Sequence, residues 1–282
     1  MGTESAPEGL ELLAWGYQLI EGPTDDGSGG LFFSDVLGGG VFHLSSDGTT
    51  TTVLPKRRGI GGIALHADGG LVVSGRDMVH VRDGQTRQIL AVDGVAGWND
   101  FCTDRAGRIY GGTLRSSAFA EEHIPGECWR IDAEGDATCL YEQVGLANGV
   151  GLSPQEDRLF HADTRASAIL VHELADGQVT RARPSIDTSS VGMPDGLALD
   201  EDGCVWAAMV GSGCIARWTP EGTLDQRLEI PADNVTSLCF GGPDRRTVFA
   251  VTADNRADAA RAGSVFALQV KVAGLPVWPA RL

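Results

Sequence analysis

One unit of sequence recurs along this chain. The stretches ANGVGLSPQEDRLFHAD (147–163) and PDGLALDEDGCVWAAM (194–209) each place a polar residue before a glycine. Alternating apolar residues follow, then an acidic turn and a second apolar run. The polar residue, called the anchor below, is Asn148 in the first stretch and Asp195 in the second. A recurring unit restricts the chain to folds that repeat one supersecondary element.

Six such units can be aligned, and each contributes one anchor. The anchors are Glu21, Gly61, Asn99, Asn148, Asp195 and Thr236. Their successive spacings are 40, 38, 49, 47 and 41 residues. Most units also contain a second pair of strand-like runs around turns such as SDG, ADG and PEG, which is the pattern of a β-hairpin.

Four short strands per unit of about 40–50 residues are typical of a propeller blade. We therefore predict an all-β fold: a six-bladed β-propeller with four-stranded blades around a central channel, formed by residues 1–282 as a single domain. A β-sandwich is the competing fold, but it does not explain a unit that recurs with its polar anchor. The N-terminal run LELLAWGYQLI is predicted to add a strand to the last blade and close the ring.

The charge of the chain limits its partners. The formal net charge is −16, from 22 Lys and Arg against 38 Asp and Glu, which argues against nucleic acid or an anionic membrane as a partner. No apolar run approaches the roughly 18–20 residues of a membrane span, and no secretory signal is recognisable. The six cysteines include no C-x-x-C pair and are interpreted as reduced thiols. We expect a cytoplasmic protein, monomeric or a small homo-oligomer.

Anchors of successive blades meet at the channel of a propeller although they are far apart in sequence. If the anchors open the innermost strands, Glu21, Asn99, Asn148 and Asp195 share one mouth of the channel. Two carboxylates and two amides are hard oxygen ligands that suit calcium, magnesium or manganese. A single Asn or Asp at a strand start can simply cap a turn. Four oxygen-bearing anchors around one axis favour a metal site.

Five segments carry a resemblance to a known family. They are EGP at 21–23, GWND at 97–100, ANGVGLSP at 147–154, MPDGLALDEDGCVWAA at 193–208 and VTSLCFGGPDRRTVFAVTA at 235–253. In this order and spacing they resemble the senescence marker protein, gluconolactonase and luciferin-regenerating enzyme family, which includes regucalcin. The resemblance covers nearly the whole chain.

The resemblance implies one divalent cation at the channel mouth, with calcium preferred and magnesium, manganese or zinc as alternatives. Its implied ligands are Glu21, Asn148 and Asp195, with Asn99 beside the metal in contact with water or substrate. The implied activity is metal-dependent hydrolysis of a lactone or related ester. In that reaction the cation polarises the carbonyl and Asp195 serves as general base, while Asn99 helps to stabilise the oxyanion.

The chain departs from the sugar-lactone members of that family at two positions. They place an arginine where this chain has Gly97 and a glutamate where it has Ser117. A polyol would lose charge-assisted hydrogen bonds worth about 1.5–3 kcal/mol each. We therefore predict a lactone less polar than a sugar aldonolactone; for Trp98, packing within the blades is the alternative role. The predicted substrate-binding residues are Asn99, Trp98, Arg115 and Phe119.

Other functions remain open on the same site. They are a phosphotriesterase-like hydrolase, an isomerase or cyclase, and a calcium-binding propeller without catalysis. No G-x-S-x-G motif supports a serine nucleophile. His161 and His123 are interpreted as structural or surface residues rather than catalysts. Asp35 and Asp163, at the ends of similar strands, are interpreted as acids that hold turns.

Overall fold

The fold is known from a computed structural model that describes residues 9–117 and 120–282. It confirms the propeller prediction, because the strands form six four-stranded antiparallel sheets. In chain order the strands are β1 (Glu11–Ala14), β2 (Ile20–Asp25), β3 (Leu31–Asp35), β4 (Gly40–Leu44), β5 (Thr50–Pro55), β6 (Ile63–Leu65), β7 (Leu71–Val73), β8 (Met78–Arg82), β9 (Gln85–Leu90), β10 (Gly97–Thr103), β11 (Ile109–Leu114), β12 (Gly126–Ile131), β13 (Ala137–Val144), β14 (Ala147–Leu152), β15 (Arg158–Asp163), β16 (Ala168–Ala175), β17 (Gln178–Asp187), β18 (Met193–Leu199), β19 (Val205–Val210), β20 (Cys214–Trp218), β21 (Leu224–Glu229), β22 (Val235–Gly241), β23 (Thr247–Thr252) and β24 (Val265–Gln269).

Blades 1 to 5 each contain four consecutive strands, beginning with β2, β6, β10, β14 and β18. Blade 6 combines β22, β23 and β24 with β1 from the other end of the chain. Strand β1 pairs antiparallel with β24, with Glu11 opposite Ala267, so the predicted ring closure is confirmed. The Thr236 hydroxyl also donates to the Ile20 carbonyl at 2.6 Å, which joins blade 6 to blade 1.

The hydrophobic core is divided among the blade interfaces. Six apolar clusters fill the spaces between neighbouring blades. The largest side chains that are fully buried there include Trp98, Trp206 and Trp218. Because close-packed apolar contacts stabilise each interface, the blades hold their innermost strands in fixed positions around the channel.

The innermost strand of five blades is interrupted at its anchor. Pairing with the second strand shifts register across Asn99, Asn148, Asp195 and Thr236 and directly after Glu21, which marks a β-bulge or similar irregularity. Blade 2, whose anchor is Gly61, has no such shift between β6 and β7. A bulge turns a side chain away from ordinary alternation, and bulges are frequent next to functional sites.

The glycine that follows the anchor in the repeated unit has a packing role. A Cβ at Gly149 would overlap the backbone nitrogen of Leu197 in the next blade. A Cβ at Gly196 would likewise overlap the hydroxyl of Ser237. The glycine therefore lets neighbouring innermost strands approach closely beside the anchors.

The C-terminal segment crosses the far end of the channel. Leu275 donates its backbone N–H to Leu199, and Ala280 donates to Leu65, at 2.9 and 2.8 Å. Both acceptors end innermost strands on the side opposite the anchors. A cavity of about 160 Å³ lies between this segment and Asp100.

Besides strands, the described ranges contain one short helix and six cysteines. A single turn of 3-10 helix, Ala259–Arg261, is the helix in the described ranges. No helix among residues 9–117 and 120–282 has the length and apolar character needed to cross a membrane. All six cysteines carry free thiols, four of them buried.

Candidate functional site

The innermost strands bring four oxygen-bearing anchors to one mouth of the channel. Glu21, Asn148 and Asp195 are each 8% exposed, and Asn99 is partly buried. Repulsion from Asp195 acts on the Glu21 carboxyl, and Asn99 is hydrogen-bonded to Asn148. Glu21 of blade 1 is therefore close to Asp195 of blade 5, and Asn99 of blade 3 contacts Asn148 of blade 4, as expected for anchors at one channel mouth.

Two buried carboxylates fix the loops that lead into the anchors. Asp35 accepts hydrogen bonds from the backbone N–H groups of residues 18–19 at 3.0 and 3.3 Å, just before the blade 1 anchor. Asp163 accepts from residues 145–146 at 2.7 and 3.0 Å, just before the blade 4 anchor. This geometry confirms their interpretation as turn-holding acids. Their role is to set where each innermost strand begins.

The two amide anchors are locked together. Asn99 Nδ2 donates to the Ala147 carbonyl at 2.8 Å and to Asn148 Oδ1. Any side chain at Gly61 would overlap Asn99, which explains the glycine anchor of blade 2. Because both amide hydrogens of Asn99 are used, its oxygen, which lies beside Gly61, is the group left for other contacts. Stabilising an oxyanion with Asn99 would require the loss of one of these bonds.

Asp100 is a site residue that the sequence analysis missed. Its carboxyl repels both Glu21 and Asp195 and raises their pKa. Burial raises the pKa of Asp100 itself to about 7, although its backbone neighbour Phe101 donates a hydrogen bond to it. The register shift between Trp98 and Phe101 explains the omission, because strict alternation assigns residues 99 and 100 to opposite faces.

Burial is the main cause of the raised pKa of Glu21 and Asp195, and repulsion between the carboxyls adds to it. Neither carboxylate forms an ion pair with an Arg, Lys or His in the described part of the chain. No three His, Cys, Asp or Glu side chains of those residues are placed to hold a metal by themselves. A cation here would need the amide oxygen of Asn148 as well. Two carboxylates and an amide oxygen are a donor set that fits a hard divalent cation.

Two predicted substrate-binding residues, Trp98 and Arg115, have other contacts within the propeller. Trp98 is 1% exposed and packs edge-to-face on Trp129, in the apolar cluster between blades 2 and 3. The packing alternative therefore describes Trp98. The Arg115 guanidinium pairs with Glu127 at 2.6 Å, along the blade. Phe119 lies outside the described residues.

Two histidines considered as catalysts are held by structural contacts. His161 is fully buried, its Nδ1 lies 2.8 Å from the Tyr141 hydroxyl, and burial lowers its pKa to about 4. His123 bonds the Gly145 carbonyl through Nε2, and its Nδ1 lies 3.2 Å from the Ser116 hydroxyl. The hydrogen-bond partners of both histidines are groups of neighbouring strands and loops, which agrees with their interpretation as structural residues.

The buried carboxyls predict an inverse pH dependence of stability for the metal-free protein. Their folded-state pKa values are raised, to about 7 for Asp100, whereas unfolded carboxyls titrate near about 4. Between these values the folded state binds more protons than the unfolded state. Each of these carboxyls should therefore make the free energy of unfolding fall by up to about 1.4 kcal/mol per pH unit above pH 5, while His161, whose lowered pKa has the opposite sign, offsets one of them up to about pH 6.5.

Urea unfolding in the presence of a chelator at each pH measures this slope. Asp100→Asn should reduce it. A flat profile in both proteins would contradict the prediction. Carboxyls with lowered pKa, such as Asp26, titrate below this range and do not mask the effect.

The fold and the site together define a class: six-bladed propellers that collect carboxylate and amide side chains at one channel mouth. A family model described as "SMP-30/Gluconolactonase/LRE-like region" matches residues 19–254. The chain belongs to this family, as the resemblance of its motifs predicts.

Two sequence relatives carry enzyme names. A 6-deoxy-6-sulfogluconolactonase of Pseudomonas putida is 31% identical over 261 residues, which are 86% of this chain and 88% of the relative. A pentonolactonase of Haloferax volcanii is 30% identical over 234 residues, which are 77% of this chain and 78% of the relative.

Solved structures share the fold. A luciferin-regenerating enzyme superimposes with a TM-score of 0.87 at 22% identity, covering 97% of this chain and 99% of its own. A calcium-binding protein, regucalcin, from Agrobacterium tumefaciens superimposes with a TM-score of 0.85 at 24% identity, covering 97% of both chains. At these identities the likeness concerns the fold alone.

Proposed function

We propose that this protein hydrolyses a lactone at the channel mouth, with one divalent metal ion held by Glu21, Asn148 and Asp195. One observation supports the proposal: the buried carboxyls of Glu21 and Asp195 repel each other with no described cationic side chain paired to either, and Thr164 links the Asn148 amide to the residue before Asp195. The names of the two sequence relatives support a lactone as the substrate class.

The proposed mechanism assigns the proton transfers to Asp195 and a contact with water or substrate to Asn99. A divalent ion bound there would polarise the lactone carbonyl and lower the pKa of a water molecule. Asp195 accepts the proton of the attacking water. Asn99 contacts the water or substrate through its oxygen, because its amide hydrogens are engaged. Proton transfer from Asp195 to the leaving oxygen then completes ring opening.

Metal analysis and a substrate panel test this function. Protein purified without added metal should contain close to one divalent ion per chain, with calcium as the first expectation. Lactone turnover should disappear with a chelator and return with calcium, magnesium, manganese or zinc. Turnover that is indifferent to the chelator would refute the metal dependence. If lactones, aryl esters and phosphotriesters all lack chelator-sensitive turnover, the protein is a binding propeller instead.

The substrate is proposed to be less polar than a sugar aldonolactone, because Gly97 offers no side chain to grip a polyol. We expect kcat/KM for alkyl or aryl lactones to exceed that for gluconolactone by about tenfold, the equivalent of one lost charge-assisted hydrogen bond. Gly97→Arg should narrow the difference. Gly97→Ala is the matched control, since a Cβ there lies 3.2 Å from the Gly75 carbonyl in both variants. A clear preference of the unmodified protein for gluconolactone would refute this proposal.

A further inference from the structure

A chain of side-chain hydrogen bonds connects three blades behind the channel mouth. Asn99 of blade 3 donates to Asn148 Oδ1 of blade 4. Asn148 Nδ2 then donates to the Thr164 hydroxyl at 2.7 Å. The Thr164 hydroxyl in turn donates to the Pro194 carbonyl of blade 5 at 2.7 Å. Thr164 directly follows β15 and is 8% exposed, so water competes little for these bonds.

The number of protons in this series of hydrogen bonds fixes the orientation of the Asn148 side-chain amide. A hydroxyl carries one proton, and Thr164 gives it to a carbonyl that can only accept. Toward Asn148 the hydroxyl must therefore accept, so the NH2 group of Asn148 faces Thr164. The opposite side of the amide, which faces Asn99 and the channel mouth, must then be the oxygen.

Thr164 also sets the spacing between two anchors of neighbouring blades. The carbonyl that it holds belongs to Pro194, directly before Asp195. One hydroxyl therefore contacts the side chain of one proposed ligand and the backbone beside another. The β14–β15 and β18–β19 pairs shift register at these same positions, so ladder pairing alone does not fix the spacing.

We propose that Thr164 is a positioning residue for the proposed metal site: it presents the oxygen rather than the nitrogen of Asn148 and fixes that oxygen relative to Asp195. This inference rests on the proposed function. An amide that turns by half a rotation presents NH2 to the ion, and NH2 is not a metal ligand. Asn99 favours the same orientation, but its contact alone leaves Asn148 Nδ2 buried without a partner.

Calcium titration of the chelator-stripped full chain tests the proposal. Thr164→Val keeps the shape of the side chain and removes the hydroxyl, and it should weaken calcium binding about 10–100-fold, as loss of a ligand-orienting partner typically does. Thr164→Ser should restore binding to within about threefold, because it restores the hydroxyl. Thr164→Ala repeats the test should the valine variant fold poorly.

A matched control separates orientation from general destabilisation. Thr252 is fully buried, and its hydroxyl donates to the Asp254 carbonyl at 2.7 Å without contact to an anchor amide. Thr252→Val should lower the unfolding temperature while calcium affinity stays unchanged. Equal losses of affinity in Thr252→Val and Thr164→Val would overturn the proposal.

A second test of the amide orientation combines Thr164→Val with Asn148→Asp. In Asn148→Asp the ligand has two equivalent oxygens, so it no longer depends on Thr164 to choose between oxygen and nitrogen. Adding Thr164→Val to Asn148→Asp should therefore cost less calcium affinity than adding it to the unmodified protein, and the loss that remains measures how far Thr164 fixes the ligand relative to Asp195. The same 10–100-fold loss in both backgrounds would overturn the proposal.

The proposed metal site and the proposed role of Thr164 can be refuted separately. If Thr164→Val binds calcium like the unmodified protein while Asn148→Ala does not, the role of Thr164 is refuted and the proposed metal site stands. If Asn148→Ala binds calcium normally, the ligand assignment in the proposed function fails, and with it the role of Thr164.

Discussion

Asp195→Asn is expected to lower kcat/KM for lactone hydrolysis by about 10²–10⁴-fold, the usual loss when a general base is removed. The substitution keeps the shape of the side chain but removes both its negative charge and its ability to accept a proton. Steady-state kinetics with an alkyl lactone, in buffer containing calcium, measures the effect. Asp187→Asn, which neutralises an exposed acid at the end of β17, should retain full activity.

The assay must separate the two roles proposed for Asp195. If the residue serves only as a ligand, excess metal restores turnover. If it is also the base, kcat stays low even when the variant is saturated with metal. A variant that keeps more than about a tenth of the activity at ordinary metal concentration falls outside the range for a general base and contradicts that role.

Glu21→Gln is expected to stabilise the metal-free protein and to abolish its stabilisation by metal. Burial and repulsion from Asp195 and Asp100 make the Glu21 carboxylate unfavourable when no cation is present. Replacing it with an amide removes that cost, so the variant should unfold at higher urea concentration than the unmodified protein in a chelator at pH 8. The opposite sign is expected with calcium. At a concentration of 100 times its Kd, calcium should stabilise the unmodified protein by about 2.7 kcal/mol and the variant by much less.

This pair of opposite effects distinguishes a metal ligand from an ordinary structural glutamate. Glu142→Gln, an exposed position on β13, is the control and should follow the unmodified protein under both conditions. Should Glu21→Gln be less stable in chelator and still gain the full stabilisation from calcium, Glu21 holds no metal.

The sequence predicts the architecture well because the repeat is visible in one dimension. Blade number and ring closure follow from the repeated units, and so do the approach of Glu21 to Asp195 and of Asn99 to Asn148. The glycine after the anchor belongs to the repeated pattern, but the physical reason for a glycine there could not be predicted. The overlap that a Cβ would make arises from the next blade, which the sequence of one unit does not contain.

The interior of the site was harder to predict because it depends on broken alternation. Asp100 was missed and Trp98 was assigned to the substrate, and both errors concern the segment GWND. A register shift within this segment changes which side chains face the channel. A bulge is a tertiary choice with no reliable signature in one sequence, so the direction of a side chain across it cannot be derived from period-two reasoning. The contacts of the Thr164 hydroxyl could not be predicted for another reason, since its two partners, Asn148 and Pro194, belong to different units.

The pairing of β1 with β24 has a consequence for biosynthesis. A ribosome releases Glu11 long before Ala267, so the sheet that joins them cannot form until β24 has emerged. Until β24 has emerged, β1 has no partner strand, and unpaired strand edges are the parts of a nascent chain most prone to association with other chains. Loss of the final strand in a truncated transcript, or of the first one to a protease, would leave the ring open. Quality-control machinery would meet such a product as an incomplete protein.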